Sequence, residues 1–506
     1  MSIPPPDNDR LAELDEHFSF GLTPAELAEF APAVAGTLGA PERVEQLYAA
    51  SAPAPPERDW SEPADNPFGA WYVTTSIEGA AGGPLAGRTV AVKDNVAVAG
   101  VPMMNGSRTV EGFVPSRDAT VVTRLLEAGA TITGKAVCED LCFSGGSFTS
   151  WPGPVRNPWD TARNAGGSSS GSAALVTSGA VDLALGGDQG GSVRMPSAFC
   201  GGVGHKPTHG LVPYTGAFPI EQTIDHLGPM TRTVADAAAM LDVLAGVDGY
   251  DPRQPTHLDR VDHLAALTGD VTGMRVGVLS EGFGLDGAEP GVDDAVRSAI
   301  DTLREAGAIV EEVSIPWHAD AMAVWNVIAT EGAAFQMVDG NAYGMNSWGL
   351  YDPELIAHYA ANRITHGAEL SKTVKLVGLS GRYTFEVGGG KYYAMARNLA
   401  YELRRAYDDA LSTHDVLVMP TVPYTARPLP DPDAPLEMYL STALSMLANC
   451  APFDVSGHPA CTVPAGLVNG LPTGLMIVGG RFADATVLTV ADAYEKSVGG
   501  FPTPPA

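Results

Sequence analysis

The sequence predicts an α/β fold, in which a mixed, twisted β-sheet carries helices on both faces and a helical segment precedes the sheet. Two observations favour this class. Hydrophobic residues make up 45% of the 506-residue chain, which also contains 58 glycines, and this composition is typical of a globular protein rather than a disordered one. From about residue 85 onward, apolar runs alternate with amphipathic stretches, as in TVAVKDN followed by DATVVTRLLEAGATITGKAV. Such alternation places functional residues beyond the ends of strands.

Residues 1–70 are predicted to form an N-terminal helical segment and a linker. Helical patterning covers residues 8–50, with Thr23 as an N-cap and Pro24 at the first helical position. The Pro-rich stretch 51–67 is typical of an extended linker.

The rest of the chain is predicted to consist of two parts. Residues 71–262 and 390–506 form the larger α/β core, in which a helix from about Ala119 to Ala128 leads to a strand. Residues 263–389 form a smaller α/β and helical region that is rich in aromatic side chains.

Composition excludes several classes of partner. The net charge of −29 disfavours binding to nucleic acid and to anionic membranes. The first ten residues, MSIPPPDNDR, lack the basic and apolar regions of a signal peptide. No apolar run approaches the roughly 18 residues of a membrane helix. We therefore expect neither a nucleic-acid nor a membrane partner.

The five cysteines are odd in number and lie mostly in apolar contexts, which favours reduced core residues in a cytoplasmic enzyme. Cys138 and Cys142 are four residues apart, a spacing that could suggest a metal site. No second pair or histidine cluster accompanies them, so we expect no metal.

A glycine- and serine-rich stretch, 163–194, holds two candidate nucleophiles, Ser168 and Ser192. Its first half, GGSSSG, is typical of a tight loop that enters a helix, where free N–H groups suit hydroxyl chemistry or an anion. Its second half predicts a buried strand, AVDLALGG, followed by the turn DQGGS. Glycines after a strand allow consecutive N–H groups to face a ligand, so this turn is a candidate oxyanion hole.

A serine nucleophile needs a base, and the histidines form no evident triad. His205 and Lys206 are predicted to lie in a structural turn. Lys93, in contrast, follows an apolar run that predicts a buried strand. Burial disfavours the charged form of a lysine, and a neutral lysine can act as a general base.

Other interpretations of these motifs are weaker. GGSSSG also fits the G-x-S-x-G elbow of α/β-hydrolases with Ser169 at its centre, but that elbow requires a preceding strand, which RNAGG does not predict. VAVK is similar to the kinase strand lysine, yet no kinase catalytic loop follows. Asp188 and Arg194 could bind substrate, although bracing of the nucleophile turn explains them better.

Lys93 in VAVKDN, the GGSSSG run and the DQGGSVR turn, in that order and spacing, resemble the amidase signature enzymes, which use a Ser-Ser-Lys triad. The segment 200–239 resembles the enantioselective bacterial amidases often found beside nitrile hydratase. The run 449–484 is similar to the family's closing strands. The resemblance covers roughly residues 70–500 and implies the amidase-signature fold.

The resemblance assigns roles to the motif residues. Ser192 is the nucleophile, and Ser168, the cis-serine, bridges it to Lys93. The backbone N–H groups of the second turn would form the oxyanion hole, and three further side chains would support the site. The backbone donors would be those of Gln189, Gly190, Gly191 and Ser192. The supporting side chains would be those of Ser169, Asp188 and Arg194.

The resemblance also concerns the substrate pocket and the assembly. It implies that the region 263–389 caps the pocket. The candidates to line an apolar acyl site in this pocket are Phe143, Ile224, Trp325 and Leu447. In related amidases the N-terminal helices contribute to a homodimer interface. Packing of these helices within one chain is the alternative.

The function expected from these residues is hydrolysis of a carboxylic acid amide to the acid and ammonia, without a cofactor. A neutral apolar or aromatic amide and water are the expected reactants. A carbamate, ester or hydrazide hydrolase would use the same triad. An amidotransferase subunit is disfavoured by the acidic charge and the N-terminal helices, and a non-catalytic binding protein would be expected to lack Lys93 or one of the serines.

Overall fold

The structure is a computed structural model in which residues 3–505 are described. The chain divides after Pro55 into an N-terminal unit and a main unit. The helices of the N-terminal unit are α1 (Asn8–Phe18), α2 (Pro24–Thr37) and α3 (Gly39–Ser51).

The start of α2 is a capping box. The Thr23 hydroxyl accepts a hydrogen bond from the Glu26 N–H (3.3 Å), while the Glu26 carboxylate accepts one from the Thr23 N–H (2.7 Å). Pro24 needs no donor in the first turn. The predicted beginning of this helix is confirmed.

The strands lie in the main unit. They are β1 (Trp60–Ser61), β2 (Trp71–Glu78), β3 (Thr89–Lys93), β4 (Thr131–Ala136), β5 (Arg156–Asn157), β6 (Asp160–Asn164), β7 (Leu183–Asp188), β8 (Val203–Lys206), β9 (His226–Thr231), β10 (Arg275–Leu279), β11 (Ile309–Val313), β12 (Val416–Pro420), β13 (Ala460–Val468) and β14 (Leu471–Gly479).

The described strands form one mixed sheet of 12 strands, in the order β1-β2-β4-β3-β7-β9-β8-β13-β14-β12-β10-β11, and β5 pairs only with β6. Strand β3 is parallel to both β4 and β7, and β10 is parallel to β11 and β12. The pairs between these two parallel groups are antiparallel, which makes the sheet mixed as predicted.

The main unit contains short 3-10 turns and one π-helical segment, Ala334–Asp339, which directly follows an α-helix. The α-helices are α4 (Thr120–Glu127), α5 (Ser170–Thr177), α6 (Arg194–Cys200), α7 (Val234–Leu244), α8 (Pro290–Glu305), α9 (Trp317–Ala333), α10 (Pro353–His366), α11 (Lys372–Gly388), α12 (Lys391–Leu411), α13 (Leu436–Leu444), α14 (Ala451–Ser456) and α15 (Asp484–Val498).

Helices cover both faces of the sheet, as strand β12 illustrates. Because side chains alternate along a strand, Val416 and Val418 pack into a core with α4, α7, α8 and α15. Leu417 and Met419 pack into a second core with α9, α11 and α12. The predicted α/β architecture is therefore confirmed. None of the helices formed by residues 3–505 is both long and apolar enough to span a bilayer.

The parallel arrangement of β4, β3 and β7 determines where functional residues meet. These strands end at Ala136, Lys93 and Asp188, so the segments that follow them emerge at one edge of the sheet. The candidate base and both candidate nucleophiles belong to this edge.

Candidate active site

Lys93 is the last residue of β3, and its side chain is fully buried. Its Nζ donates hydrogen bonds to Ser168 Oγ (2.8 Å) and to the carbonyl oxygen of Gly187 (3.1 Å). Both acceptors are uncharged, and no carboxylate of residues 3–505 forms an ion pair with Lys93. A buried amine in contact with a hydroxyl and a carbonyl is suited to proton exchange with that hydroxyl.

The segment that precedes α5 holds Ser168 against Lys93. The peptide bond between Gly167 and Ser168 is cis, as the resemblance implies. The Ser168 carbonyl accepts a hydrogen bond from the Glu139 N–H (3.1 Å). The Ser169 N–H donates to the Ser192 carbonyl (3.3 Å), which joins the two serine-containing loops.

The Ser169 side chain has a supporting role. Its Oγ donates to the Gly187 carbonyl (3.0 Å) and accepts from the Gly187 N–H (3.1 Å). A strand does end at Asn164, which the sequence prediction missed, but it belongs to the small β5–β6 pair. The engaged hydroxyl of Ser169 argues against a nucleophile elbow centred there.

Asp188 and Arg194 brace the turn that carries Ser192. The Asp188 carboxylate accepts from the N–H groups of Gly191 (2.6 Å) and Val193 (3.0 Å) and pairs with Arg194 Nη2 (3.0 Å). Arg194 Nη2 also lies 2.8 Å from Asp454 Oδ2, and all three side chains are fully buried. Burial opposes ionisation of Asp188, but the charge and hydrogen bonds of Arg194 outweigh it and lower the pKa of Asp188.

The backbone geometry at position 191 requires glycine. Its φ is +124°, and an added Cβ would lie 2.5 Å from Cys450 Cβ. Because its N–H already donates to Asp188, the N–H groups left without an acceptor in the described part of this turn are those of Gln189, Gly190 and Ser192. The turn therefore has three backbone N–H groups that are not engaged by an acceptor among residues 3–505.

Trp325, on α9, holds the start of the turn. Its indole Nε1 donates to the Gln189 carbonyl (2.8 Å). In a trans peptide the carbonyl and the next N–H point in opposite directions, so this bond directs the Gly190 N–H away from the indole. An added Cβ on Gly190 would lie 2.8 Å from Trp325 Cζ2, so the close contact requires glycine.

A narrow cavity of about 30 Å³ lies beside Ser192. The four predicted pocket residues, Phe143, Ile224, Trp325 and Leu447, all line it, although they come from distant parts of the chain. The wall is mostly apolar, and no ionised carboxylate or ammonium group is among its lining side chains. The other residues that line it are Cys142, Ser144, Gly145, Gln189, Gly190, Met195, Ile220, Ala329 and Leu444.

Sequence reasoning missed several of these lining residues. One of them carried a helical signal, because Ala329 lies four residues after Trp325 on the same helix. Cys142 is predicted from the sequence to be a reduced core residue, and not to line the cavity. Its thiol instead donates to Asn105 Oδ1 (3.3 Å), as does that of Cys138 (3.4 Å).

The prediction of a turn at His205 and Lys206 is wrong, because both lie in the buried strand β8. His205 Nε2 lies 3.0 Å from Asp484 Oδ1, and Lys206 Nζ donates to the His458 carbonyl (2.7 Å). Tertiary partners bind Lys206 Nζ and His205 Nε2 inside the sheet, whereas His205 Nδ1 has no hydrogen-bond partner among residues 3–505.

Comparison with known families gives one match that covers most of the chain. The sequence model of the family described as Amidase matches residues 70–488. This span contains the Lys93, Ser168 and Ser192 segments and all four predicted pocket residues.

Individual relatives agree with that match. The chain is 63% identical to an enantioselective amidase of Rhodococcus rhodochrous over 100% of this chain and 98% of the relative. Among solved structures, it resembles a glutamyl-tRNA(Gln) amidotransferase subunit of Thermotoga maritima with a TM-score of 0.71, 33% identity and coverage of 86% and 90% of the two chains. It resembles the peptide amidase of Stenotrophomonas maltophilia with a TM-score of 0.69, 30% identity and coverage of 84% and 85%.

Proposed function

The chain belongs to the amidase family and is an amidase that acts on amide C–N bonds, and from that premise we propose that Ser192, Ser168 and Lys93 form its catalytic triad. The observation that carries the proposal is the 2.8 Å hydrogen bond from fully buried Lys93 to Ser168, at the sheet edge where Ser192 faces an apolar cavity. The products are a carboxylic acid and ammonia.

The proposed mechanism is acyl transfer to water through an ester on Ser192. Neutral Lys93 accepts a proton from Ser168 as Ser168 takes one from Ser192, and Ser192 Oγ attacks the amide carbonyl carbon. The same relay returns the proton to the leaving nitrogen, which departs as ammonia. Water, deprotonated by the relay, then hydrolyses the acyl-enzyme.

The tetrahedral oxyanion would be stabilised by backbone N–H groups of the Ser192 turn. Gln189, Gly190 and Ser192 provide donors that have no other acceptor among residues 3–505. Fixed donors that face developing charge in a dry site are effective because they need no reorganisation during the reaction. The Trp325 and Asp188 contacts hold the turn in place.

We expect a neutral apolar or aromatic acyl group. The lining of Phe143, Ile224, Trp325 and Leu447 supports this, since a charged acyl group would lose its hydration without gaining an ionic partner. Carbamates, hydrazides and esters remain alternative substrates of the same triad. The chain is 63% identical to an amidase over its full length and 33% identical to an amidotransferase subunit. This difference in identity favours the hydrolase over an amidotransferase subunit.

The test is ammonia release from benzamide, with an aliphatic amide in parallel, by the wild type and by Ser192→Ala. Release by the wild type and a loss of about 10⁴-fold or more in the variant would support both the activity and the nucleophile. Ammonia release by Ser192→Ala at the wild-type rate would overturn the assignment of the nucleophile. Failure of the wild type on both amides would direct the search to carbamates and hydrazides.

We further propose that residues 263–389 cap the pocket, since Trp325 and Ala329 of that region line the cavity.

A homodimer through the N-terminal helices is supported by exposed aromatic side chains there, including Phe18, Phe20 and Phe30. A cytoplasmic location rests on five cysteines that are all buried free thiols. The mass of the full chain in solution, compared with that of Phe20→Asp and Phe30→Asp variants, tests the dimer.

A further inference from the structure

Asp454 is the second carboxyl group in contact with the buried guanidinium of Arg194. Arg194 Nε donates to Asp188 Oδ2 and Arg194 Nη2 donates to Asp188 Oδ1, each at 3.0 Å. Nη2 also donates to Asp454 Oδ2 (2.8 Å), and Nη1 donates to the Cys450 carbonyl (2.9 Å). Arg194 therefore joins Asp188 to the start of α14, the helix that carries Asp454.

The hydrogen bonds of Arg194 leave little freedom to its head group. A guanidinium has five N–H donors, and a buried donor without an acceptor is costly. Asp188 accepts from two of the Arg194 donors, and the carboxyl of Asp454 accepts from a third. The remaining pair on Nη1 faces the Cys450 carbonyl and Met476 Sδ (3.5 Å). Without Asp454, one buried donor of Arg194 would lose its acceptor.

Asp454 contributes an acceptor rather than a charge. Burial and the nearby charge of Asp188 raise the pKa of Asp454 well above its usual value, although Arg194 acts in the opposite direction. The carboxyl of Asp454 therefore keeps its proton, whereas the pKa of Asp188 is lowered and Asp188 supplies the negative charge beside Arg194. A protonated carboxyl still accepts a hydrogen bond through its second oxygen.

Asp188 links the position of Arg194 to the nucleophile. Its Oδ1 accepts from the Gly191 N–H (2.6 Å) and its Oδ2 from the Val193 N–H (3.0 Å). These two residues flank Ser192, and the same two oxygens accept from Arg194. A shift of the guanidinium would therefore move the carboxylate that orients the peptides on both sides of Ser192.

The segment that precedes Asp454 also touches both the turn and the cavity. Leu447 lines the cavity, and its carbonyl accepts from the N–H groups of Cys450 (3.0 Å) and Ala451 (2.9 Å). Cys450 approaches the turn so closely that an added Cβ on Gly191 would lie 2.5 Å from its Cβ. The chain around α14 is therefore a common support for the cavity wall and for the turn.

We propose that Asp454 is a positioning residue for acylation, which holds Arg194 and, through it, the Asp188 carboxylate that orients the Ser192 turn. This inference rests on the proposed function. Fixed donors stabilise the tetrahedral transition state more than the bound substrate, so loss of the contact should change kcat more than KM. A residue needed only for folding would change the amount of native enzyme and not its relative affinity for these two states.

The experiment measures kcat and KM on benzamide, and the inhibition constants of benzaldehyde and benzyl alcohol, in the wild type, Asp454→Leu and Asp454→Asn. Ser192 Oγ adds to the carbonyl carbon of benzaldehyde, its proton passes to the relay, and the carbonyl oxygen becomes an oxyanion. Benzyl alcohol has no carbonyl and forms no such adduct. The ratio of the two inhibition constants therefore reports on stabilisation of the tetrahedral state.

In Asp454→Leu, which has a similar size but no acceptor, kcat should fall about 10- to 100-fold, and benzaldehyde should bind more weakly by a similar factor. KM and the inhibition constant of benzyl alcohol should change by less than about 3-fold. Asp454→Asn keeps a neutral acceptor of the same shape and should retain at least about a third of the wild-type kcat.

Asp484→Leu is the matched control. Asp484 is also a buried carboxyl group near the C-terminus, but it contacts His205 and Thr208 instead of Arg194. Its loss should reduce stability and leave the ratio of the inhibition constants unchanged. If Asp454→Leu does not fold, as judged by circular dichroism, Asp454→Ser, whose side chain is too short to reach Arg194 Nη2, takes its place.

Three results would overturn the inference. The first is an unchanged ratio of the inhibition constants in Asp454→Leu, and the second is a shift of the same size in Asp484→Leu. The third is a loss in Asp454→Asn equal to that in Asp454→Leu, because the acceptor would then not be the cause.

The failure of this inference is distinct from the failure of the proposed function. A wild type that releases no ammonia from benzamide contradicts the function and the inference together. A wild type that releases ammonia, with a ratio of inhibition constants insensitive to Asp454, contradicts the inference alone.

Discussion

Two fully buried lysines lie on neighbouring strands of the sheet and have opposite electrostatic surroundings. Lys135 Nζ, near the end of β4, lies 2.8 Å from Asp94 Oδ1 in a buried ion pair. Lys93 Nζ, at the end of β3, donates to the Ser168 hydroxyl and the Gly187 carbonyl and forms no ion pair with a carboxylate of residues 3–505. The two strands are parallel, and Lys135 is paired with Val92, the residue before Lys93.

Asp94 explains the difference. It directly follows Lys93 in the sequence, yet its carboxylate faces Lys135 and accepts from the N–H groups of Met104 (2.9 Å) and Asn105 (2.7 Å). The carboxylate adjacent in sequence is thus directed away from Lys93. Burial alone therefore does not make a lysine a base; a buried lysine without a counter-ion can exchange protons, whereas one held by a carboxylate contributes to structure.

The largest effect is expected from Lys93→Met. The variant should lose about 10⁴-fold or more in kcat on benzamide, because the relay loses its proton acceptor. Its free energy of unfolding should not decrease, since no buried carboxylate loses a partner. Ammonia release and chemical denaturation measure the two quantities. Activity retained at about a tenth of the wild-type rate would remove Lys93 from the proposed role.

Lys135→Met should show the reverse pattern. Removal of one member of a buried ion pair leaves Asp94 uncompensated and should lower the free energy of unfolding by about 3–5 kcal/mol. The double variant with Asp94→Asn should regain part of this loss, because neither charge remains. Equal stability of Lys135→Met and Lys93→Met in the same denaturation experiment would contradict the contrast between the two lysines.

Much of this arrangement could be predicted from local sequence, because strand and helix patterns are local. The buried strands that contain Lys93 and precede the Ser192 turn, and the N-cap at Thr23, were of this kind. The contacts that decide chemistry were not. Asp94 forms an ion pair with Lys135, and Asp188 accepts a hydrogen bond from the Gly191 N–H. Both contacts depend on distances between side chains and turns that only the folded chain defines.

Strands β8 and β6 are among those that the sequence did not predict, and they were missed for related reasons. Strand β8 contains His205 and Lys206, whose polarity argues against a buried strand until their partners Asp484 and His458 are known. Strand β6 is short and lies outside the large sheet, so it lacks the apolar pattern of a core strand. Tertiary context outweighs intrinsic propensity in both.

A smaller effect is expected when the hydrogen bond from Trp325 to the turn that carries Ser192 is removed. Trp325→Phe keeps an aromatic ring in the cavity but removes the donor to the Gln189 carbonyl. We expect kcat on benzamide to fall about 10-fold, with a smaller change in KM, because the Gly190 N–H is less well directed. Leu447→Ala, which changes the same cavity wall without removing a hydrogen bond, should act mainly on KM. A reduced kcat in Leu447→Ala equal to that of Trp325→Phe would assign Trp325 to packing alone.

The surroundings of a buried ionisable group also matter for a carboxylate, that of Glu139. It is fully buried beside the Gly167–Ser168 peptide, where an added Cβ on Gly167 would lie 2.8 Å from Glu139 Cγ, and its Oε1 has no partner among residues 3–505. Burial raises the pKa of Glu139 to about 7, although hydrogen bonds from Ser144 and Thr149 act in the opposite direction.

The folded protein should therefore hold this proton over a pH range in which the unfolded chain, with a glutamate pKa of about 4.3, has released it. Stability from this group is fully present below about pH 4.3 and is lost as the pH rises to about 7, a decrease on the order of 3 kcal/mol at most. Glu139→Gln removes this titration and should flatten the pH dependence of the free energy of unfolding. Exposed Glu386→Gln is the control, and equal slopes for the wild type and Glu139→Gln would show that Glu139 is already ionised in the folded protein across this range.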